Sequence, residues 1–181
     1  MKEENGMTAT PVQPIVLWRL SHRADKQVVP LADRHYNRQK IGSPQFVPPG
    51  RCVVLKTACL KAFWITSWPF AEYVKHAWAG AWMCSAFRNE GVAGVQSSEL
   101  IRQAVAVTRS VYGEPPPRGM VTFVDRGKTR PKSADHIGRC YQKAGFRLLE
   151  QQTKGGLYVC QMLPEDMPEA IDPHDEQLTL F

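Results

Sequence analysis

Few side chains in this chain are placed to do chemistry, and none completes a motif alone. His35 and Tyr36 are adjacent, an imidazole beside a phenol. No second histidine and carboxylate follow at the spacing of a two-His-one-carboxylate site, so His35 also reads as a group that hydrogen-bonds or touches substrate. Glu90 and Asp125 each stand at the end of a β-forming run. A carboxylate there can serve as a base or ligand, or it can cap a turn and pair with Arg88 or Arg126. Asn37, Gln45 and Asn89 carry the amide donor–acceptor pair that matches a base edge, and each also suits an ordinary loop. Trp64, Trp68, Trp78, Trp82, Phe46 and Phe87 offer rings for stacking or for a core. Arg126, Lys128, Arg130 and Lys132 crowd the stretch after Thr122–Asp125, and Arg34, Arg38, Lys40 and Arg51 add cations that suit phosphates. The five cysteines, Cys52, Cys59, Cys84, Cys140 and Cys160, are odd in number and contain no CxxC pair. That argues against a disulfide framework or a cysteine zinc site, and for reduced, mostly buried thiols.

The elements that must position these groups follow from the hydrophobic pattern. Residues 1–14 are polar with two prolines and read as a disordered lead. Ile15–Leu20 reads as a strand, and Ala24–Ile41 is helix-compatible with Pro30 interrupting it. A long Gly/Pro loop precedes Arg51–Thr57 and Ala62–Ser67, two β-rich runs four residues apart that predict a hairpin. Ala77–Phe87, aromatic and apolar, reads as a central strand. Ser97–Tyr112 has apolar residues on one helical face, with Ser97 as expected N-cap and Gly113 as stop. Gly119–Asp125 alternates as a strand. Asp135 can cap a short helix through Ala144, ended by Gly145. Phe146–Glu150 and Leu157–Met162 close as strands. The order β-α-β-β-β-α-β-α-β-β predicts a single α/β domain over 15–163 with a mixed sheet flanked by helices, because three strands follow one another without a helix.

The chain has 181 residues, 43% hydrophobic and 22% charged, enough apolar material for one core and too much for disorder throughout. Its net charge of +6 is unevenly spread: residues 15–163 carry 22 bases against nine acids, and 164–181 carry six acids and no base. A basic body suits a polyanionic partner such as nucleic acid, or a merely basic soluble enzyme. No signal-like segment or apolar run of membrane-spanning length occurs, so a cytoplasmic protein with no membrane partner is expected.

The strand–helix–strand–helix portion resembles the GNAT acyltransferase superfamily. The resemblance implies a central strand splayed from its neighbour, with acyl-coenzyme A in the gap and its pyrophosphate on the next helix N-terminus. Here Arg88, Asn89, Ser97 and Ser98 would hold it, although Arg88-Asn89-Glu90-Gly91-Val92-Ala93-Gly94 departs from the usual glycine-rich loop. Tyr141 stands where such proteins carry a tyrosine that protonates the departing thiolate. A second set of blocks covers most of 30–163: Ala32–Gln39, Pro44–Arg51, Phe87–Gly91, Ser97–Arg102, Thr122–Asp125, Gly138–Tyr141 and Lys143–Phe146. These are similar to the Mom family of bacteriophage DNA-modification proteins. That resemblance implies a transferase converting adenine in double-stranded DNA to N6-carbamoylmethyladenine, which protects the DNA from host restriction. It also implies a possible iron, with His35 as the first ligand to consider, and His35, Tyr36, Glu90, Asp125 and Tyr141 as candidate catalytic groups. Arg34, Asn37, Arg38, Gln45, Phe46, Arg126, Lys128 and Arg130 become candidate DNA contacts, on a base that must leave the stack. A carbamoylmethyl group joins through its methylene carbon, which ordinary acyl transfer does not achieve.

The last residues Gln177, Leu178, Thr179, Leu180 and Phe181 resemble the bacterial sliding-clamp-binding pentapeptide, with 164–176 as an expected disordered acidic linker. Two other classes stay open. One is a small-molecule N-acetyltransferase. The other is a non-enzymatic DNA-binding protein that rides the clamp.

Overall fold

The computed structural model describes residues 15–174, so the lead 1–14 and the clamp-like residues 177–181 lie outside it. Seven strands form one mixed sheet: β1 (Trp18–Leu20), β2 (Arg51–Thr57), β3 (Ala62–Trp68), β4 (Trp82–Asn89), β5 (Met120–Val124), β6 (Arg147–Leu148) and β7 (Tyr158–Met162). Their spatial order is β1-β2-β3-β4-β5-β7-β6. Every neighbouring pair is antiparallel except β4 and β5, which run parallel. The expected α/β domain with a mixed sheet is what forms. None of the helices described is long and apolar enough to cross a membrane.

The crossover between the parallel strands is α2 (Ser97–Tyr112), whose Leu100, Ile101, Ala104, Val105 and Val107 are buried against the sheet. They join Trp18, Val53, Leu55, Trp64, Trp82 and Met162 in the larger core. At roughly 1.5–3 kcal/mol for each fully buried large side chain, this face dominates the stability of the fold. Gln96, not Ser97, occupies the N-cap with extended backbone, so both serines fall inside the first turn. On the opposite face Val28, Leu31, Val47, Phe63 and Ile65 form a second cluster, and Trp78 with Val121 and Val159 a third.

Several expected elements are shorter. The helix-compatible stretch 24–41 yields one turn, α1 (Val29–Asp33). Pro30 begins it, and Asp33 then bonds the Arg38 guanidinium and the Gly42 N–H, folding the chain back as a loop. The central strand begins at Trp82 rather than Ala77, because Gly80 at φ +90° breaks the extended backbone while Trp78 packs on the far face. Asp125 ends β5 by capping α3 (Arg126–Thr129), where its carboxylate accepts the Lys128 N–H at 3.1 Å. Asp135 caps no α-helix; it lies in a single 3₁₀ turn, and α4 (Arg139–Ala144) starts after a left-handed Gly138. Gly145 ends α4 in the left-handed region, as expected.

The acidic segment expected to be a disordered linker is folded down at least to residue 174. Met167 is buried, the Ile171 N–H bonds the Ala106 carbonyl, and Arg109 holds the Pro168 carbonyl at 2.8 Å. Arg147 pairs with Asp166 at 3.0 Å, and Ser110 bonds Asp172. The apolar Met167 and Ile171 anchor the segment, and Arg147 pairs with one of its acids.

Candidate active site at the parting of two strands

β4 and β5 pair over three rungs only, Trp82 with Met120, Met83 with Val121 and Cys84 with Thr122. At the last rung the Thr122 hydroxyl donates to the Cys84 carbonyl at 3.2 Å. Beyond it β4 runs on to Asn89 unpaired on this side, and the strands part. The neighbouring ladder shifts at the same place: Thr66 faces Cys84 while Ile65 faces Ala86, so Ser85 is an extra, bulged residue. Bulges free a carbonyl from the ladder. The freed Ser85 carbonyl accepts a hydrogen bond from the Asn37 amide at 2.8 Å.

Three cavities of about 400, 310 and 290 Å³ meet at this point. His35 lines the first and third, Tyr36 the second and third, Asn37 the first and second. The first is walled by Phe46, Phe63, Pro48 and Ile65, with the amides of Asn37, Gln39 and Gln45 and the Arg38 side chain, and no carboxylate, in its lining. The second holds Met83, Ser85, Phe123, Asp125 and Lys128. The third lies between the parted strands, against Phe87, Val124, Cys140 and Tyr141.

The electrostatics separate these groups. His35 stacks on Tyr36 with ring centroids 4.6 Å apart. Since the Asn37 Nδ2 donates to Ser85, its Oδ1 faces His35 Nδ1, which must then carry the proton and donate. The Asn37 backbone N–H lies 3.3 Å from the same nitrogen, a longer contact that counts only in the other tautomer. Burial lowers the His35 pKa, offset in part by hydrogen bonding to Asn37 and to the Phe87 backbone, which favours the neutral ring. Burial pushes the Tyr36 phenol up, offset in part by hydrogen bonding from the Asp125 backbone, which ties these two candidates together. Burial, reinforced by Cys84 and Cys140, raises Tyr141 well above its usual value; its hydroxyl contacts Cys84 Sγ at 3.6 Å. The Cys84 thiol is itself pushed up to about 12 by burial.

Glu90 is differently placed. Arg34 grips it with two bonds of 2.6 and 2.8 Å, and Arg88 adds one of 2.6 Å. These hold its carboxyl at about 2, poorly suited to a base, while Arg88 also bonds the Arg34 carbonyl. Arg38 is likewise occupied, by Asp33 at 2.8 Å and by the carbonyls of Ser43 and Gln45, so it staples the loop carrying Gln45 and Phe46. Arg126, Lys128 and Arg130 are exposed on the rim. Asn89 shapes the turn ahead of α2: its Oδ1 accepts the N–H groups of Gly91 and Val92, and its Nδ2 bonds Ser97. The N–H groups of Ala93, Gly94, Gln96, Ser97 and Ser98 have no backbone acceptor among the described residues, and they open toward the helix N-terminus.

Sequence reading thus found His35, Tyr36, Asn37, Asp125 and Tyr141, which the fold brings to one cleft. It missed Ser85, Cys84, Gln39 and His136; the bulge that makes Ser85 useful has no signature in the residues around it. Among the described residues no three His, Cys, Asp or Glu side chains gather to hold a metal ion. His35 Nδ1 faces the Asn37 amide, and Glu90 is held by Arg34 and Arg88. The chain matches no family model, no curated protein and no solved structure.

Proposed function

We propose that the chain is a GNAT-like transferase that modifies the N6 amine of adenine in double-stranded DNA. The observation that carries this is the parting of β4 from β5, with His35, Tyr36 and Asn37 reached from cavities on both sides of the split. The third cavity, between Phe87 of β4 and Tyr141 of α4, has room for the thioester end of an acyl-coenzyme A. The first, an aromatic and amide-lined space without carboxylates, fits a neutral planar base drawn from the stack. The Mom-like blocks and the basic body support DNA as the substrate.

An acyl-coenzyme A supplies a two-carbon unit as a thioester. The amides of Gly94 and Ser97–Ser98 and the Arg88 region would bind its phosphates. His35 Nε2, neutral and fixed by Asn37, takes the proton that the adenine amine loses. Tyr141, held protonated by burial, donates a hydrogen bond to the departing sulfur rather than a full proton. Asp125 positions the rim loop and, through its backbone, Tyr36. Attack of the amine on the thioester carbonyl with loss of the thiol forms an N6-acyl bond, and these residue roles cover that step. A carbamoylmethyl group, joined through its methylene and carrying an amide nitrogen, requires in addition a nitrogen donor and a leaving group or two-electron oxidant at that carbon.

Mass spectrometry of DNA nucleosides after expression tests the proposal. Acetyladenine is the product of the acyl-transfer step alone, and carbamoylmethyladenine would show that a further nitrogen donor takes part; either supports modification of the adenine amine. Unmodified DNA with acetylation of free amines would identify a small-molecule acetyltransferase. Unmodified DNA with retained DNA affinity would identify a binding accessory. The clamp-like residues 177–181, outside the described structure, would bring the enzyme to replicating DNA.

A further inference from the structure

The segment between β3 and β4 carries two aromatic rings that the fold does not cover. Phe70 is 64% and Tyr73 75% exposed, the most exposed aromatic side chains among the described residues. A single 3₁₀ turn, Ala71–Tyr73, brings them to one side, where their rings meet edge to face at 6.3 Å. The Tyr73 N–H bonds the Phe70 carbonyl at 3.0 Å, so the pair is held by the turn. Isolated exposed apolar residues need no explanation, but two large rings presented together do.

Both ends of the segment are anchored on the walls of the candidate cleft. Pro69 lies against Gly50, where a Cβ on the glycine would touch the proline Cα at 4.0 Å. Gly50 directly follows Pro48 and Pro49 of the first cavity. At the other end His76 packs on Phe123 of the second cavity, with centroids 4.9 Å apart. The rings therefore stand on the span that bridges the two cavity walls. Glu72 is the one acid there. Exposed Lys75 flanks it, and Arg51 lies over Trp68, just before Pro69, at 4.8 Å.

We propose that Phe70 and Tyr73 form a stacking wedge that enters a DNA duplex beside the cleft and fills the gap left by the extruded base, a role that rests on the chain's acting on DNA as proposed above. Drawing a base from the stack leaves its neighbours uncovered, and an inserted ring restores that contact. The rings carry no charge, so the wedge governs extrusion while the cations govern phosphate binding.

The test uses the full chain and a duplex carrying 2-aminopurine at the target adenine, whose fluorescence rises when the base unstacks. The wild type should bind with strong salt dependence and raise the signal. Phe70→Ala with Tyr73→Ala should cut the extruded population about fivefold or more, with the salt slope unchanged. Phe70→Tyr with Tyr73→Phe, which keeps both rings, should restore it. Both positions are exposed, and circular dichroism should show the variants folded. Loss of duplex binding by the wild type overturns the DNA reading and the wedge together. An equal rise in the alanine variant overturns the wedge alone, whereas wild-type binding with no fluorescence rise overturns base extrusion and the wedge with it. A change of oligomeric state in the alanine variant, with extrusion intact, would assign the rings to a protein contact instead and overturn it.

Discussion

The Asn37 side chain joins His35 to Ser85: one amide accepts from the imidazole and donates to the carbonyl that the β4 bulge releases. A strand irregularity therefore selects which imidazole nitrogen is basic. Asn37→Ala should leave the fold intact and lower modification about 10²-fold, because the ring loses its orientation. Asn37→Asp should do something different. A carboxylate beside His35 favours the imidazolium, raising a pKa that burial now lowers. Activity needs the neutral ring and is lost as pH falls through that pKa, so the acid limb of the pH–rate profile should move upward by about one unit or more. An unmoved limb would remove His35 as the base.

Tyr141→Phe keeps the packing against Phe87 and Phe146 and deletes the hydroxyl. Modification should fall about 10²-fold or more with unchanged thermal unfolding. Asp125→Ala, which removes the cap on the Lys128 N–H and frees the rim loop, should also reduce it. His35→Ala should abolish it. Normal nucleoside modification in all three variants would dismiss the site.

Duplex binding should weaken with salt at a log–log slope near −4 to −5 if about five cations engage phosphates. Lys128→Ala and Arg130→Ala should each reduce the slope by about one. Arg38→Ala should leave the slope alone and loosen the 38–46 loop, since its guanidinium is held by Asp33, Ser43 and Gln45. Filter binding across a salt series reads all three.

Burial alone would raise the Asp25 carboxyl. Hydrogen bonds from Lys56 at 2.7 Å, from Ser21 and from the Gln27 N–H outweigh it and hold the group at about 2. Its folded pKa is depressed, so the stability it adds is present above about pH 4 and lost as pH falls toward 2. The loss should be about 2 kcal/mol. Urea midpoints measured through that window should drop for the wild type and stay flatter for Asp25→Asn.

Deleting 177–181 should leave the fold and isolated catalysis unchanged while reducing modification of replicating DNA. Leu180 and Phe181 each gain roughly 1.5–3 kcal/mol on entering an apolar pocket, before ordering costs. A fluorescent 172–181 peptide should therefore saturate purified sliding clamp at micromolar concentration. Absence of saturable binding would reduce the segment to an ordinary terminus.

Elements whose reasons are local were legible in the residues: the one-sided apolar stripe of α2, the β2–β3 hairpin and the glycine stops at Gly113 and Gly145. Elements set by distant partners were not. The 24–41 stretch has helical composition, yet Asp33 with Arg38 and Gly42 turns it into the loop that delivers His35. Trp78 has strand-like neighbours but packs on the opposite face once Gly80 turns. The 164–174 segment looked solvated because its acids are conspicuous, while Met167 and Ile171, which hold it down, are sparse. Among candidate site residues, amide type singled out Asn37, and Tyr141 came from the resemblance to acyltransferases. For Glu90 the pairing with Arg88 was among the sequence alternatives, and geometry added Arg34.

Glu90 fastens Arg34, the residue before His35, to Arg88, which opens the loop leading into α2. A molecule that orders that loop also steadies the turn bearing the imidazole, so a second molecule arriving at His35 meets a prepared partner. Linkage makes the benefit mutual: whatever factor the first ligand adds to the affinity of the second, the second returns to the first. For a chain that takes two substrates as proposed, Glu90→Gln is expected to lower the mutual enhancement of their binding.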